Sequence, residues 1–310
     1  MAGVIDSVTL KTNLERMPGD ELLRLARVLK VPIVKRTIRR SWLIDEVMKE
    51  LEKRERKDEL PYRLKSPAIL LEDVTKRFGK KTAVRRLNLK VEPGEIVGIV
   101  GPNGAGKTTT LRMLTGIIRA NSGTIHVDGH DIVKDSILAK ERIGYIPEKP
   151  TCYPSLTARE YVMFTARIYG VSHDTALIRM NEYVDLFQFD EFINTYIGTL
   201  SKGNLQRALL IGIFVREPPY ILALDEPIYG LDPRGAWNLK KLLRELRNAG
   251  SAILISTHIL EVASDLCDRF VIMNEGDVVG RGTFEELKSL FPDARSLEEI
   301  FLSLTGGIPE

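Results

Sequence analysis

The sequence lacks any apolar run close to the roughly 20 residues that a membrane-spanning helix needs. Its N-terminus also lacks the basic stretch followed by an apolar one that marks a secretory signal peptide. The two cysteines, Cys152 and Cys267, are far apart and in no metal-ligand spacing, which argues against a disulfide framework and a zinc site. These absences predict a cytoplasmic protein whose role at a membrane, if it has one, depends on another chain.

Repeats of solenoid length and low-complexity tracts are absent as well, and the composition is that of an ordinary globular protein. Apolar residues make up 44% and charged residues 28% of the 310 residues, so a sizeable core can form without disulfides. The net charge is +3, but residues 1–66 hold 16 Lys and Arg against 11 Asp and Glu, which is +5 and leaves −2 for the remainder. This asymmetry favours two units with different partners.

A domain boundary is predicted near residues 50–67, where an almost wholly charged stretch precedes two prolines. Before it, apolar residues recur at helical spacing in two segments between residues 20 and 51, joined by a basic connection at 31–40. We therefore interpret residues 1–66 as a small helical module with a charged linker, and residues 67–310 as a second, larger domain.

After the boundary, short β-rich runs alternate with helical segments, which predicts an α/β fold with a largely parallel, doubly wound sheet. The runs are Ala68–Val74, Glu95–Val100, Tyr220–Leu224, Ala252–Ser256 and Phe270–Met273. Two more runs, Ala83–Val91 and Thr124–Val127, are typical of antiparallel additions. Residues 150–208 are predicted to form a mostly helical subdomain, whose first helix starts at a capping box, Thr157–Glu160, and stops at Gly170.

Residues 101–108 read Gly-Pro-Asn-Gly-Ala-Gly-Lys-Thr and match the phosphate-binding loop, G-x-x-x-x-G-K-[ST], between an apolar strand and a helix. Backbone N–H groups and the helix N-terminus supply positive potential for phosphates there. We expect Lys107 to reach the β- and γ-phosphates of ATP and Thr108 to ligate Mg²⁺. The nucleotide-binding residues predicted in this loop are Gly101, Pro102, Asn103, Gly104, Ala105, Gly106, Lys107, Thr108 and Thr109.

An apolar run, Ile221–Leu224, ends in two carboxylates, Asp225 and Glu226. A buried strand would deliver Asp225 beside the phosphate-binding loop, where it can hold Mg²⁺ through water. Glu226 can then act as the general base that polarises the attacking water. Alone, such a run is an ordinary strand end, but together with the loop it predicts ATP hydrolysis.

The segment Leu200–Arg207 reads Leu-Ser-Lys-Gly-Asn-Leu-Gln-Arg and resembles the Leu-Ser-Gly-Gly-Gln motif of ATP-binding cassettes. In that family the motif contacts ATP held by a second cassette. The resemblance therefore implies an ATP-dependent dimer with two ATPs in its interface, and contacts from Ser201 and Gly203. The sequence departs from the motif at Lys202 and Asn204, and Lys202 adds a positive charge near the γ-phosphate.

The resemblance also implies roles for single residues elsewhere. Phe78 stands where the family stacks an aromatic ring on adenine, although a core phenylalanine is the alternative. Glu148 stands where a glutamine usually senses the γ-phosphate, and as a carboxylate it would join Thr108 and Asp225 around Mg²⁺. Asp232 belongs to a loop that crosses the dimer interface. His258 matches a histidine that contacts the γ-phosphate, and it completes the predicted catalytic set with Lys107 and Glu226.

The resemblance covers about Ala68–Gly307, and the C-terminal tail at about 284–310 is similar to one branch of the family. In that branch, separate ATPase subunits drive exporters of drugs, lipids or polysaccharides. The implied function is the ATPase subunit of an exporter, held on the inner face of the membrane by an integral membrane subunit.

Residues 1–66 resemble SAP-type and Rho N-terminal-type modules, some of which bind nucleic acid. Their basic residues are equally consistent with a solvated surface, which we favour. The alternative function is a non-transport cassette that acts on nucleic acid or ribosomes through this module. The non-transport members of the family usually carry two cassettes in one chain, so the single cassette in this sequence favours transport. A catalytically silent regulator is disfavoured because Lys107, Asp225, Glu226 and His258 are all present.

Overall fold

The computed structural model describes residues 64–149, 152–216 and 221–306, together with Ser41, Ile44 and Asp45. The chain divides into two units, Met1–Arg63 and Leu64–Glu310. Apart from Ser41, Ile44 and Asp45, which are helical, the two helices predicted before residue 52 lie outside the described residues. Across the described ranges, no helix combines the length and the apolar character that crossing a membrane requires.

The described part of the second unit contains ten strands. They are β1 Ile69–Phe78, β2 Lys81–Val91, β3 Ile96–Val100, β4 Ser122–Val127, β5 His130–Asp131, β6 Ile143–Ile146, β7 Ile221–Asp225, β8 Ala252–Thr257, β9 Arg269–Asn274 and β10 Asp277–Gly282. Six of them form one sheet in the order β10-β9-β3-β8-β7-β6, and β9 to β6 in that order run parallel. Every residue of β3, β7 and β8 is buried, because both faces of this sheet are covered.

The other four strands form an antiparallel sheet in the order β2-β1-β4-β5. The predictions for Ala83–Val91 and Thr124–Val127 are confirmed, but the placement of Ala68–Val74 with the parallel strands was wrong. That run belongs to β1, which pairs with β2 through a two-residue turn and with β4 on its other side. A turn that short can only join antiparallel neighbours. The short strands β5 and β6 and the edge strand β10 escaped prediction.

Nine α-helices lie within the described ranges between residues 64 and 306. They are α1 Lys107–Leu114, α2 Ser136–Arg142, α3 Ala158–Ile168, α4 His173–Phe187, α5 Lys202–Phe214, α6 Pro233–Asn248, α7 Leu260–Leu266, α8 Phe284–Leu290 and α9 Leu297–Thr305. The predicted capping box starts α3: Thr157 accepts the N–H of Glu160, whose carboxylate accepts the N–H of Thr157 at 2.8 Å. The helix ends before Gly170, which has φ +70°.

The core lies in layers on both sides of the parallel sheet. On one face Val97 and Ile99 pack with α1 and the antiparallel sheet. On the other face Ile96 packs with α3, α4, α5 and α6. A third cluster joins α7, α8 and α9 to Phe270 and Ile272 of β9. The parallel sheet is thus packed between two apolar layers, and polar groups can lie at the edge where its strands have their carboxyl ends.

The capping box of α3 generates a local prediction. Thr157→Ala should speed amide hydrogen exchange in the first turn of α3 by about 5-fold, because an N-cap hydrogen bond is lost. Ser303→Ala is the control, since its exposed hydroxyl only bonds the carbonyl of Glu299 within α9. Unchanged exchange in Thr157→Ala would show that tertiary packing, and not the cap, holds this helix end.

Candidate functional site

Four adjacent parallel strands end at the same edge of the sheet, and the predicted site residues follow them. β3 leads into the loop Gly101–Gly106, β8 into His258 and β6 into Glu148, while β7 ends at Asp225 with Glu226 next. Because β3, β8, β7 and β6 are neighbours in that order, their carboxyl ends lie side by side. In open α/β sheets this edge is where ligands bind.

The loop Gly101–Gly106 closes tightly around the side chain of Lys107. The ammonium donates to the carbonyl oxygens of Gly101 at 2.7 Å and Pro102 at 3.2 Å. Gly106 has φ +109°, and a Cβ there would lie 2.5 Å from the carbonyl oxygen of Ala83 in β2. Only glycine fits this position, which lets α1 begin at Lys107 with its first N–H groups open to an anion.

Lys107 is buried, and three carboxylates lie close enough to act on its charge. Burial lowers the pKa of its ammonium below the usual value, and the negative charges of Glu226, Asp225 and Glu148 oppose that shift. The carbonyl partners of Lys107 carry no net charge. A cation so placed at a helix N-terminus suits a bound phosphate, so the loop fits a nucleotide triphosphate.

Asp225 lies beside the first turn of α1. Its Oδ1 accepts from Thr108 Oγ1 at 3.2 Å and from the hydroxyl of Ser256 in β8. Its Oδ2 is buried and has no hydrogen-bond partner. A buried acceptor without a donor fits a cation, and Mg²⁺ bound to phosphates typically takes one or two protein oxygens plus water. Thr108 and Asp225 fit that ion, although no group of three or more His, Cys, Asp or Glu suited to a metal occurs among the described residues.

Glu226 is held both by its backbone conformation and by the end of β8. It has φ +51°, in the left-handed region that non-glycine residues rarely adopt. Its Oε2 accepts from Thr257 Oγ1 at 3.0 Å, and its Oε1 accepts the N–H of His258 at 2.9 Å. Strained backbone of this kind, costing roughly 1–3 kcal/mol, concentrates at functional sites. Here it turns the carboxylate from β7 toward the end of β8.

His258 completes a pair with this carboxylate. Its Nδ1 lies 2.6 Å from Glu226 Oε1, and its ring is 41% exposed while Glu226 is buried. The hydrogen bond therefore holds the imidazole against a buried oxygen while part of the ring stays exposed to solvent. A water placed at this edge would meet a carboxylate of fixed orientation.

Ser201 and Gly203 lie at the N-terminus of α5. Ser201 is exposed and caps the helix by accepting the N–H of Asn204 at 3.3 Å. A Cβ at Gly203 would lie 2.4 Å from the carbonyl oxygen of Gly230, so glycine is required for this close approach. The structure therefore places Gly203 against the loop after β7, with Ser201 exposed at the same helix end.

Asp232 lies at the far end of that loop and is engaged within its own chain. It caps α6 by accepting the N–H of Gly235 at 3.0 Å, and it pairs with Arg207 of α5. The hydrogen bond from Arg207 holds the pKa of Asp232 below its usual value. This carboxylate thus ties the loop to two helices.

Phe78 and Glu148 lie at the rim. Phe78 is 52% exposed at the end of β1, on the hairpin whose second strand passes beside Gly106, so it is not a core residue. The ammonium of Lys76 lies 5.0 Å from its ring centroid and donates to the carbonyl oxygen of Arg119 at 2.7 Å. Glu148 is exposed after β6, close enough to influence Lys107.

Three residues of the site were not predicted from the sequence to contact its functional side chains. Ser256 and Thr257 hold the two carboxylates, and the signal was available, since they are polar residues ending a strand that is otherwise apolar. Tyr229 lies beside His258, with ring centroids 6.1 Å apart. No spacing in the sequence indicates that contact.

Comparison with known proteins agrees with this geometry. The family model described as ABC transporter matches residues 84–229. The linearmycin resistance ATP-binding protein LnrL of Bacillus subtilis is 35% identical over 70% of this chain and 70% of its own length. The Nod factor export ATP-binding protein I of Burkholderia lata is 37% identical over 68% of this chain and 69% of its own length.

Solved structures show the same fold. The ATP binding subunit of an ABC transporter superposes with a TM-score of 0.73 at 30% identity, over 77% of this chain and 99% of that one. A dimeric ATP-binding cassette in a post-hydrolysis state, bound to ADP and Pi, superposes with a TM-score of 0.64 at 25% identity, over 69% and 98%. The chain therefore belongs to the ATP-binding-cassette family, as an ABC transporter ATP-binding subunit with ATPase activity.

Proposed function

We propose that this chain is the ATPase subunit of an exporter, that it works as a dimer with two ATPs in the interface, and that it drives a separate membrane subunit. The observation that carries the proposal is the meeting of Lys107, Asp225, Glu226 and His258 at one edge of the parallel sheet. The printed names of two relatives, one a resistance protein and one an export protein, favour export. Residues 1–66 form, in this proposal, a module separate from the cassette at 67–310.

ATP would bind along the loop Gly101–Thr109. Lys107 would leave the carbonyl oxygens of its own loop for the β- and γ-phosphates, and the open N–H groups of α1 would complete the cradle. Phe78 would stack on adenine through the exposed part of its ring. Thr108, Asp225 and Glu148 would hold Mg²⁺, which offsets the negative charge of the phosphates.

Hydrolysis would depend on Glu226 as general base. Its carboxylate is already oriented by Thr257 and by the backbone of His258, so little reorganisation is needed before it accepts a proton from water. The imidazole of His258 would contact the γ-phosphate from the exposed side and keep Glu226 in place through Nδ1. These two roles are consistent with the burial of Glu226 and the exposure of His258.

The second nucleotide contact would come from another copy of the chain. Ser201 is exposed at the N-terminus of α5, where the helix dipole and free N–H groups attract a phosphate. Gly203 and Asp232 would lie in the same interface, beside the loop after β7. The dimeric relative bound to ADP and Pi supports this arrangement.

The membrane subunit would contact the helical subdomain beside Glu148. Tyr153 and Phe164 are 57% and 42% exposed and meet edge to face, with ring centroids 5.7 Å apart. Ile168, one helical turn further along α3, is 62% exposed. Exposed apolar side chains grouped on one surface mark interaction sites, and this group would pass movement from the nucleotide edge to the membrane.

Lys107→Ala should weaken Mg-ATP binding on the order of 100-fold, because the cradle loses its buried cation and its charge-assisted hydrogen bonds. Isothermal titration calorimetry measures this. Lys134→Ala is the matched control, since that side chain is 82% exposed and should leave the affinity unchanged. Equal affinity in both variants would exclude the loop as the phosphate site.

Glu226→Gln should lower the rate of ATP hydrolysis by roughly 10²–10⁴, the usual contribution of a positioned general base. ATP binding should be kept or tightened, because a negative charge near the γ-phosphate is removed while the size stays the same. Glu261→Gln, on the exposed surface of α7, is the control and should hydrolyse ATP at the wild-type rate. A Glu226→Gln variant with wild-type turnover would assign the base to another residue.

The dimer predicts a third result. Glu226→Gln in saturating Mg-ATP should elute as a dimer in size-exclusion chromatography with light scattering, because hydrolysis no longer separates the chains. Adding Ser201→Arg should return it to a monomer by blocking the N-terminus of α5 with a large side chain. Ser289→Arg, on the exposed surface of α8, should leave the dimer intact. A dimer that survives Ser201→Arg would mean that the chains meet through another surface.

A further inference from the structure

The N-terminal half of α5 is attached along its length to the loop Glu226–Asp232. Gln206 Nε2 donates to the carbonyl oxygen of Pro227 at 3.2 Å, in a buried position. Two further contacts join the same helix and loop. Gly203 approaches Gly230 closely, and Arg207 forms an ion pair with Asp232. A shift of α5 would therefore act directly on the loop that begins at Glu226.

A fourth contact between α5 and this loop joins Lys202, the first residue of the helix, to Tyr229. The ammonium of Lys202 lies over the ring of Tyr229, 3.8 Å from its centroid, and the aliphatic stem passes over Gly230. Lys202 is the first residue of α5, where the helix dipole disfavours a positive charge. It has no ion pair within the described residues, so the electron-rich face of Tyr229 is the group that stabilises the ammonium.

Tyr229 also contacts the catalytic pair. Its ring centroid lies 6.1 Å from that of His258, with the planes tilted by 58°. The imidazole is thus bounded by the carboxylate of Glu226 at 2.6 Å and by the ring of Tyr229. Because His258 is 41% exposed, few neighbours restrict its rotamer, and the loss of the Tyr229 ring would remove one of them.

We propose that Tyr229 is a positioning residue for ATP hydrolysis, which Lys202 holds from the ring face and which in turn fixes His258 against Glu226. The inference rests on the proposed roles of Glu226 and His258. It assigns a purpose to the lysine that replaces glycine in the motif. In the proposed dimer, Lys202 lies at the helix end that would face the second cassette's ATP, and it would also help to set the geometry of its own chain's catalytic pair.

The test is the steady-state ATPase activity of the full chain. Tyr229→Leu removes the ring and keeps the bulk, so kcat should fall by about 10-fold while KM stays within about twofold, because orientation and not ATP binding is lost. Tyr229→Phe keeps the ring, so its kcat should equal that of the wild type. Tyr196→Leu is the matched control, since this tyrosine is 56% exposed and Tyr229 is 48% exposed.

Lys202 should act through the same ring. Lys202→Met should lower kcat in the same direction, and Lys202→Arg should preserve it, because a guanidinium also binds an aromatic face. The double variant Lys202→Met with Tyr229→Leu should be no slower than Tyr229→Leu alone, because both changes remove one interaction. A double variant whose losses multiply would overturn the proposed link.

A His258→Ala background separates positioning from a general structural effect. Tyr229→Leu should cause no further loss of kcat there, since the residue through which it acts is gone. A further 10-fold loss, or equal losses in Tyr229→Leu and Tyr229→Phe, would overturn the inference. If Tyr229→Leu has the wild-type kcat while Glu226→Gln is inactive, only the inference about Tyr229 is overturned. If Glu226→Gln itself has wild-type turnover, the proposed function is overturned.

Discussion

The parallel pairing of β7 with β8 is the interaction on which the site depends. Its register sets Asp225 opposite Ser256 and Glu226 next to Thr257 and His258. A slip of one residue would turn every side chain of β7 to the other face of the sheet. Both strands are buried on both faces, so such a slip would make their side chains fit poorly against the close-packed layers on either side. The packing of the apolar residues therefore sets the position of the polar groups at the ends of the two strands.

Those polar groups also constrain one another. Two buried carboxylates and a buried ammonium lie at one sheet edge, and an unpaired charge in such a place would be strongly destabilising. Asp225 and Glu226 use hydroxyls and a backbone N–H from β8, whereas Lys107 uses carbonyl oxygens of its own loop. One acceptor, Oδ2 of Asp225, has no partner. The protein's own hydrogen bonds thus fix the orientation of the side chains that would face a bound nucleotide.

The loop after β7 connects this edge to the part of the molecule that would meet a second cassette. It begins at the strained backbone of Glu226 and ends at Asp232, which caps α6 and pairs with α5. Between those points, Gly203 and Gln206 of α5 contact its backbone, and Lys202 contacts Tyr229. Because the loop is held at both ends and along its length, the N-terminal half of α5 and the backbone of Glu226 are connected by direct contacts.

The sequence alone determined the strand that ends at Asp225 and is followed by Glu226, the capping box of α3 and the α/β class, and it predicted a phosphate-binding loop at Gly101–Thr108, because each depends on residue type at short spacing. It also identified the family through the segment at Leu200–Arg207. It placed β1 in the wrong sheet and missed β5, β6 and β10, since a short run does not reveal its pairing partner. It could not show that Ser256 and Thr257 hold the carboxylates, or that Lys202 lies on Tyr229 beside His258. Those contacts join residues about 30 positions apart, and only the tertiary structure decided them, because strand register and helix packing, and not local sequence, bring such side chains together.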